Sequence, residues 1–179
     1  MFDWARGSAL KRMIDAGLFM AGWEPGHARW LKNWHTPWLL GLVEFTPEMS
    51  VLDVGSSGPW FMKWLHKEFG CDVHALDVDT SAAAKNNFGF AADVERVFPE
   101  VTMHVGLAGD DILPAERFDV VTCISTLEHT YDSVSPLNRQ KPMAHLHALR
   151  DMARMLKPGG LLLMDWDVYL DGVRHHVGW

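Results

Sequence analysis

The stretch VLDVGSSGPW, Val51–Trp60, decides how this chain is read. An apolar run passes Asp53, turns at Gly55 and Gly58, and restarts at Pro59 with the spacing of a helix. A short apolar run closed by glycine suits a buried strand, and proline is favoured at the first helical position. Strand, glycine turn and helix together open a nucleotide-binding unit, in which backbone amides at the helix start meet the ligand. The turn departs from G-x-G-x-x-G, however. Ser57 takes the second glycine place, Pro59 has no amide hydrogen, and Trp60 is bulky. A diphosphate would lose a donor there and meet a wall.

Working outward, PWFMKWLHKEFG reads as a helix that Gly70 closes, and DVHALDVD as a second strand. TSAAAKNNF opens with hydroxyl residues suited to capping a helix, which ADVERVF continues. VTMHVG and FDVVTCIS read as the third and fourth strands. MAHLHALRDMARMLKPGG reads as a helix with apolar residues at 146, 149, 153 and 156, stopped by Lys157-Pro158-Gly159-Gly160, and LLLMDWDV as a fifth strand. Strands alternating with helices imply right-handed crossovers and a parallel sheet covered on both faces. Ligands of such sheets lie at the carboxyl ends of the strands, near the switch in strand order. Upstream, Ser8–Met20 has helical spacing and ends at the turn AGWEPG; Trp30, Trp34 and Trp38 then fall four apart, one face of a helix. We therefore expect a helical segment over residues 1–45, packed on the sheet or closing a pocket as a lid, and a core domain over 46–179.

Composition narrows the function. The chain has 179 residues, and its formal net charge of −7, without a Lys/Arg run, argues against a non-specific nucleic-acid binder. The N-terminus lacks the apolar run of a signal peptide, and no stretch of about 18 apolar residues suggests a membrane span, so a cytoplasmic location is expected. Cys71 and Cys123 fall in or beside strands, a pattern of reduced thiols rather than of a disulfide framework. Nine tryptophans and ten methionines give either a bulky core or the apolar walls of a small-molecule pocket.

A ligand with adenosine but no phosphate meets neither obstacle in the first turn. S-adenosylmethionine, made of adenine, ribose, a sulfonium and an amino acid, is such a ligand. A carboxylate about 20 residues beyond the glycine turn can accept from both ribose hydroxyls; Asp77, 22 residues after Gly55, is the first choice and Asp79 the second. In GLAGDDILPAERFD, Asp110 or Asp111 could accept from the adenine amino group, with Ile112 or Leu113 over the ring face.

Taken in order and spacing, VLDVGSSGP, HALDVDTS, FDVVTCISTLEHT and MARMLKPGGLLLMD resemble the Rossmann-like (class I) S-adenosylmethionine-dependent methyltransferases. The LEH and LKPGG segments are most similar to the branch that holds the ubiquinone- and menaquinone-biosynthesis methyltransferases. The resemblance covers about Pro47 to Val168. It implies a three-layer αβα sheet, mostly parallel, in the order 3-2-1-4-5, with the family's sixth and seventh strands missing or reduced. It implies that Asp53 and Gly55 hold the methionine end of S-adenosyl-L-methionine, together with Ser56, Ser57 and Gly58 of the turn. Asp77 and Val78 would meet the ribose, Asp110 or Asp111 and Ile112 the adenine, and the Ser125 carbonyl the ligand amine. Ser57 and Pro59 stand where the family has glycines. The fifth strand would be an edge, a liability that the C-terminal residues, the N-terminal segment, or a second subunit is expected to cover.

Methyl transfer from a sulfonium needs an aligned acceptor, and a hydroxyl or ammonium acceptor must also lose a proton. His129, with an ordinary imidazole pKa near ~6.5, is the candidate base or substrate-orienting group, and Glu128 the alternative. Asp165 and Asp167 with His175 and His176 make only a weak metal pattern, so no metal is expected. GSSGP is not the G-x-S-x-G elbow of a serine hydrolase. The sequence reading is therefore an enzyme that methylates a small molecule; the alternative is an inactive relative serving as a binding or regulatory subunit.

Overall fold

The computed structural model describes residues 41–56, 60–78, 99–127 and 144–165. The expected helices before residue 41 and over 80–98 lie outside the described residues. So do Ser57, Gly58, Asp79, Glu128, His129, Asp167, His175 and His176.

Five strands form one sheet: β1 (Ser50–Val54), β2 (Asp72–Asp77), β3 (Thr102–Val105), β4 (Phe118–Ile124) and β5 (Leu156–Asp165). Their order is β3-β2-β1-β4-β5, and every pairing is parallel. This is the expected order. The chain steps outward from β1 to β3 and returns beside β1 as β4, so the switch in strand order lies between β1 and β4. Every residue of β1 is buried, as a central strand requires. Edge strand β3 is only half-buried, with Val105 53% exposed. β5 forms the other edge of the described sheet, and residues 166–179, expected to help cover it, lie outside the described residues.

Helix α1 (Trp60–Phe69) follows β1, and α2 (Ala144–Met155) precedes β5. Their buried side chains lie on opposite faces of the sheet, which gives the three layers. Met62, Trp64 and Leu65 of α1 pack with Val51, Val73, Ala75 and Val120. Ala148, Met152 and Met155 of α2 pack with Leu52, Val54, Leu76, Val121 and Cys123. Gly70 closes α1 as expected: its φ is +77° and its amide donates to the His66 carbonyl at 2.9 Å. Cys71 and Cys123 are free and buried.

Two details depart from the sequence reading. The buried stripe of α2 is Ala148, Asp151, Met152 and Met155, not the row 146, 149, 153 and 156, where Leu146 is 47% exposed. Counting apolar residues misses the true stripe because it contains a carboxylate, Asp151, whose hydrogen bonds make its burial tolerable. The second concerns Lys157-Pro158-Gly159-Gly160, which lies inside β5 rather than before it. Phe118 pairs with Leu156 and Val120 already with Leu161, so the intervening residues form a bulge.

Toward the amino ends of the strands, buried His74 joins a polar cluster. Its ring stacks on His104 with Nδ1 and Nε2 3.0 Å apart, and its own Nε2 lies 2.9 Å from Asp72 Oδ2 and 3.2 Å from Arg117 Nη2. Burial, with the charges of His74 and Arg117, holds His104 below the usual histidine value. Burial would raise the Asp72 carboxyl, but His74, Ser50 and Arg117 outweigh it and hold the group below its ordinary value.

Candidate functional site

The carboxyl ends of all five strands share one edge, because every pairing is parallel. β1 and β2 keep register to their last residues, Val54 opposite Leu76. Gly55 and Asp77, 22 residues apart in sequence, therefore leave the sheet side by side. The Gly55 amide donates to the Leu76 carbonyl at 2.8 Å, and the Gly106 amide to the Asp77 carbonyl at 2.7 Å, which stitches the exits of β1, β2 and β3 together.

Gly55 has φ +74°, where a side chain is strained, and a Cβ there would overlap the side chain of Thr126. The Thr126 hydroxyl lies 3.3 Å from the Gly55 carbonyl and 3.1 Å from the Ile124 carbonyl. Next to it, the Ser56 Oγ atom is buried without a hydrogen-bond partner among the described residues. A buried hydroxyl left in this condition is costly, and it marks a place where a polar ligand group fits.

Asp53 lies deeper. It is 3% exposed and sits opposite Thr122, whose hydroxyl donates to Asp53 Oδ1 at 2.7 Å. Asp77 is half-buried at the edge, and its Oδ1 accepts the Val78 amide at 2.8 Å. That bond fixes the carboxylate, whose oxygens can each accept more than one hydrogen bond.

The loop after β3 separates the two aspartates that the sequence leaves equivalent. Asp111, at φ +53°, pairs with Arg154 Nε at 2.9 Å. Arg154 also binds Asp151 Oδ1 at 2.6 Å and the Leu113 carbonyl at 2.7 Å, and Asp151 accepts the Gly109 amide at 2.7 Å. The loop is thereby tied to α2. Leu113 is buried in the core, whereas Ile112 is 41% exposed and lies over Gly106, where a Cβ would strike its Cδ1.

Beyond β4, Ser125 takes φ +47°, and its amide donates to Asp165 Oδ1 at 2.8 Å. The carboxyl edge thus carries Gly55, Ser56, Asp77, Val78 and Ser125, with Asp53 buried beneath it, while the loop after β3 runs on through Asp110, Asp111 and Ile112 along α2, where Asp111 meets Arg154 near the start of β5. Sequence reasoning missed Thr122, Thr126, Asp151 and Arg154. Only Thr126 carried a signal, a hydroxyl directly after a strand at the switch in strand order. Among the described residues no group of three or more His, Cys, Asp or Glu is arranged to hold a metal ion. Nor is any described helix long and apolar enough to cross a membrane.

The sequence family described as a methyltransferase domain matches residues 12–177. The chain belongs to this family. Methyltransferase domains of this class depend on S-adenosyl-L-methionine, and the orphaned Ser56 hydroxyl beside Gly55, with Asp77 across the edge, suits such a group. Among relatives, the domain is 32% identical over 144 residues to an uncharacterized protein of Haemophilus influenzae, covering 79% of this chain and 51% of that one. It is 27% identical over 119 residues to a ubiquinone biosynthesis O-methyltransferase of Histophilus somni, covering 64% and 43%. The chain spans about half the length of these curated relatives. Its fold is similar to that of the PH0226 protein from Pyrococcus horikoshii, with a TM-score of 0.57 at 19% identity over 86% of this chain and 62% of that one.

Proposed function

We propose that this methyltransferase domain binds S-adenosyl-L-methionine in the crook after β1 and transfers its methyl group to a small molecule. The observation that carries the reading is the side-by-side exit of Gly55 and Asp77 at the carboxyl edge, beside the switch in strand order. Asp77 accepts from the ribose hydroxyls, with Val78 alongside. Asp53 stabilises the methionine end from beneath the turn, and Gly55, Ser56, Ser57 and Gly58 line it. The Ser125 carbonyl faces the ligand amine. Asp110 accepts from the adenine amino group, since Arg154 holds Asp111 at the far end of α2, near the start of β5, and Ile112 rather than buried Leu113 covers the ring. The bound group supplies an electrophilic methyl carbon; the protein supplies alignment and a dry, shaped edge. His129 orients the acceptor or takes its proton, with Glu128 as the neighbouring alternative. The relative named a ubiquinone biosynthesis O-methyltransferase supports an oxygen acceptor on a small molecule.

Isothermal titration with S-adenosylmethionine and with its demethylated product tests the reading. Saturable one-site binding of both is expected. Absence of heat for either at millimolar ligand would overturn it.

A further inference from the structure

We infer that Thr126 is a positioning residue, which holds the Gly55 peptide in its ligand-receiving conformation and is itself held by Asp165 through Ser125. The inference rests on the cofactor reading above and deepens it.

Three observations meet at one place. Gly55 needs a glycine twice over: for its φ of +74°, and because the Thr126 side chain occupies the space a Cβ would take. Thr126 touches Gly55 through chemistry as well as shape. Its hydroxyl has a single proton, shared between the Gly55 carbonyl at 3.3 Å and the Ile124 carbonyl at 3.1 Å. That shared proton couples the exits of β1 and β4 across the switch in strand order. The path of the β4 exit is in turn unusual. Ser125 sits at φ +47°, a region that non-glycine residues seldom enter. Asp165, at the end of β5, accepts the Ser125 amide at 2.8 Å on its carboxylate, with the Ser125 hydroxyl 3.5 Å from the same oxygen. Local strain of this kind persists only where surrounding bonds fix it, and it concentrates at functional sites.

The consequence is directional. Fixing the Gly55 carbonyl sets the plane of the following peptide, and with it the approach to the Ser56 hydroxyl, which is buried and has no partner among the described residues. The methionine end of the ligand meets this side of the crook. The adenosine end meets Asp77 and the loop after β3, which no bond from Thr126 reaches. Loss of the Thr126 hydroxyl should therefore affect one end of the ligand and spare the other.

The test compares two probes, S-adenosylmethionine and 5′-methylthioadenosine, which lacks the amino-acid end, on wild type, Thr126→Val and Thr126→Ser by isothermal titration. Thr126→Val keeps the shape and removes the donor; it should weaken S-adenosylmethionine about fivefold, as the net worth of one hydrogen bond implies, and leave 5′-methylthioadenosine within about twofold. Thr126→Ser restores the donor and should bind both probes within about twofold of wild type. Should Thr126→Val fail to fold, Thr126→Ala, which adds no bulk, takes its place with the same expectation. Equal weakening of both probes would show a structural role only, and unchanged binding of both would show no role; either overturns the inference. Wild type that binds neither probe overturns the cofactor reading itself, and the inference falls with it.

Discussion

Arg154 Nε lies 2.9 Å from Asp111 Oδ1 and thereby commits one of two adjacent aspartates to helix α2. The pair is exposed on the Asp111 side, at 78% of that side chain, so it adds little stability. Its effect is on aim: it turns Asp111 to the helix, near the start of β5. Asp110→Ala should weaken S-adenosylmethionine about fivefold or more, and Asp111→Ala less than about twofold. Titration of the two variants side by side checks this; the reverse ranking would refute the assignment.

Asp53 is a buried carboxylate that leans on Thr122. Thr122→Val keeps the volume and removes the donor, leaving Oδ1 short of a bond it makes at 2.7 Å. We expect a loss of about 1–3 kcal/mol in stability, read as a lower urea midpoint at unchanged slope. A midpoint equal to that of wild type would mean that water or another group replaces Thr122 without cost.

Gly55→Ala forces a side chain into positive φ and into Thr126. The two penalties together should cost roughly 2–5 kcal/mol. The overlap is specific, so Thr126→Ala in the Gly55→Ala background should recover part of the loss, giving a coupling of about 1 kcal/mol or more in a double-mutant cycle. Strict additivity would show that φ alone makes glycine necessary there.

The cluster of His74, His104, Asp72 and Arg117 should give folding a pH dependence. His104 is held below the usual histidine value by burial and by its charged neighbours, so the unfolded chain takes up a proton on this side chain before the folded one does. Stability is therefore greatest above the unfolded value, about 6.5, and falls as pH drops from there toward the folded value. Asp72, held below its ordinary carboxyl value, adds a second loss at more acid pH, as it protonates. Urea midpoints at about pH 7.5 and about pH 5.5 should differ in wild type and differ less in His104→Asn. An equal difference in the two proteins would remove His104 from the account.

The fold was legible because its signals are local and mutually consistent. Gly70 at the end of α1, the short, mainly apolar run of β1 and the alternation of strand with helix each follow from backbone preference and burial, and they agree. The ordering β3-β2-β1-β4-β5 came from the family resemblance and not from any single segment. Asp77 was legible by its distance from Gly55. Asp151, Arg154, Thr122 and Thr126 were not, since each acts through a bond to a residue about 40 to 70 positions away. The same holds for the face of α2: a paired Asp151 in the buried stripe looks, in sequence, like a reason to turn that stripe toward water.

A crystal structure of the chain with the demethylated cofactor product tests the central claim most directly. The account predicts the ribose hydroxyls within hydrogen-bonding distance of the Asp77 carboxylate and the amino-acid end against Gly55 and Ser56. A ligand seated elsewhere, or one whose ribose has no contact with Asp77, would contradict it.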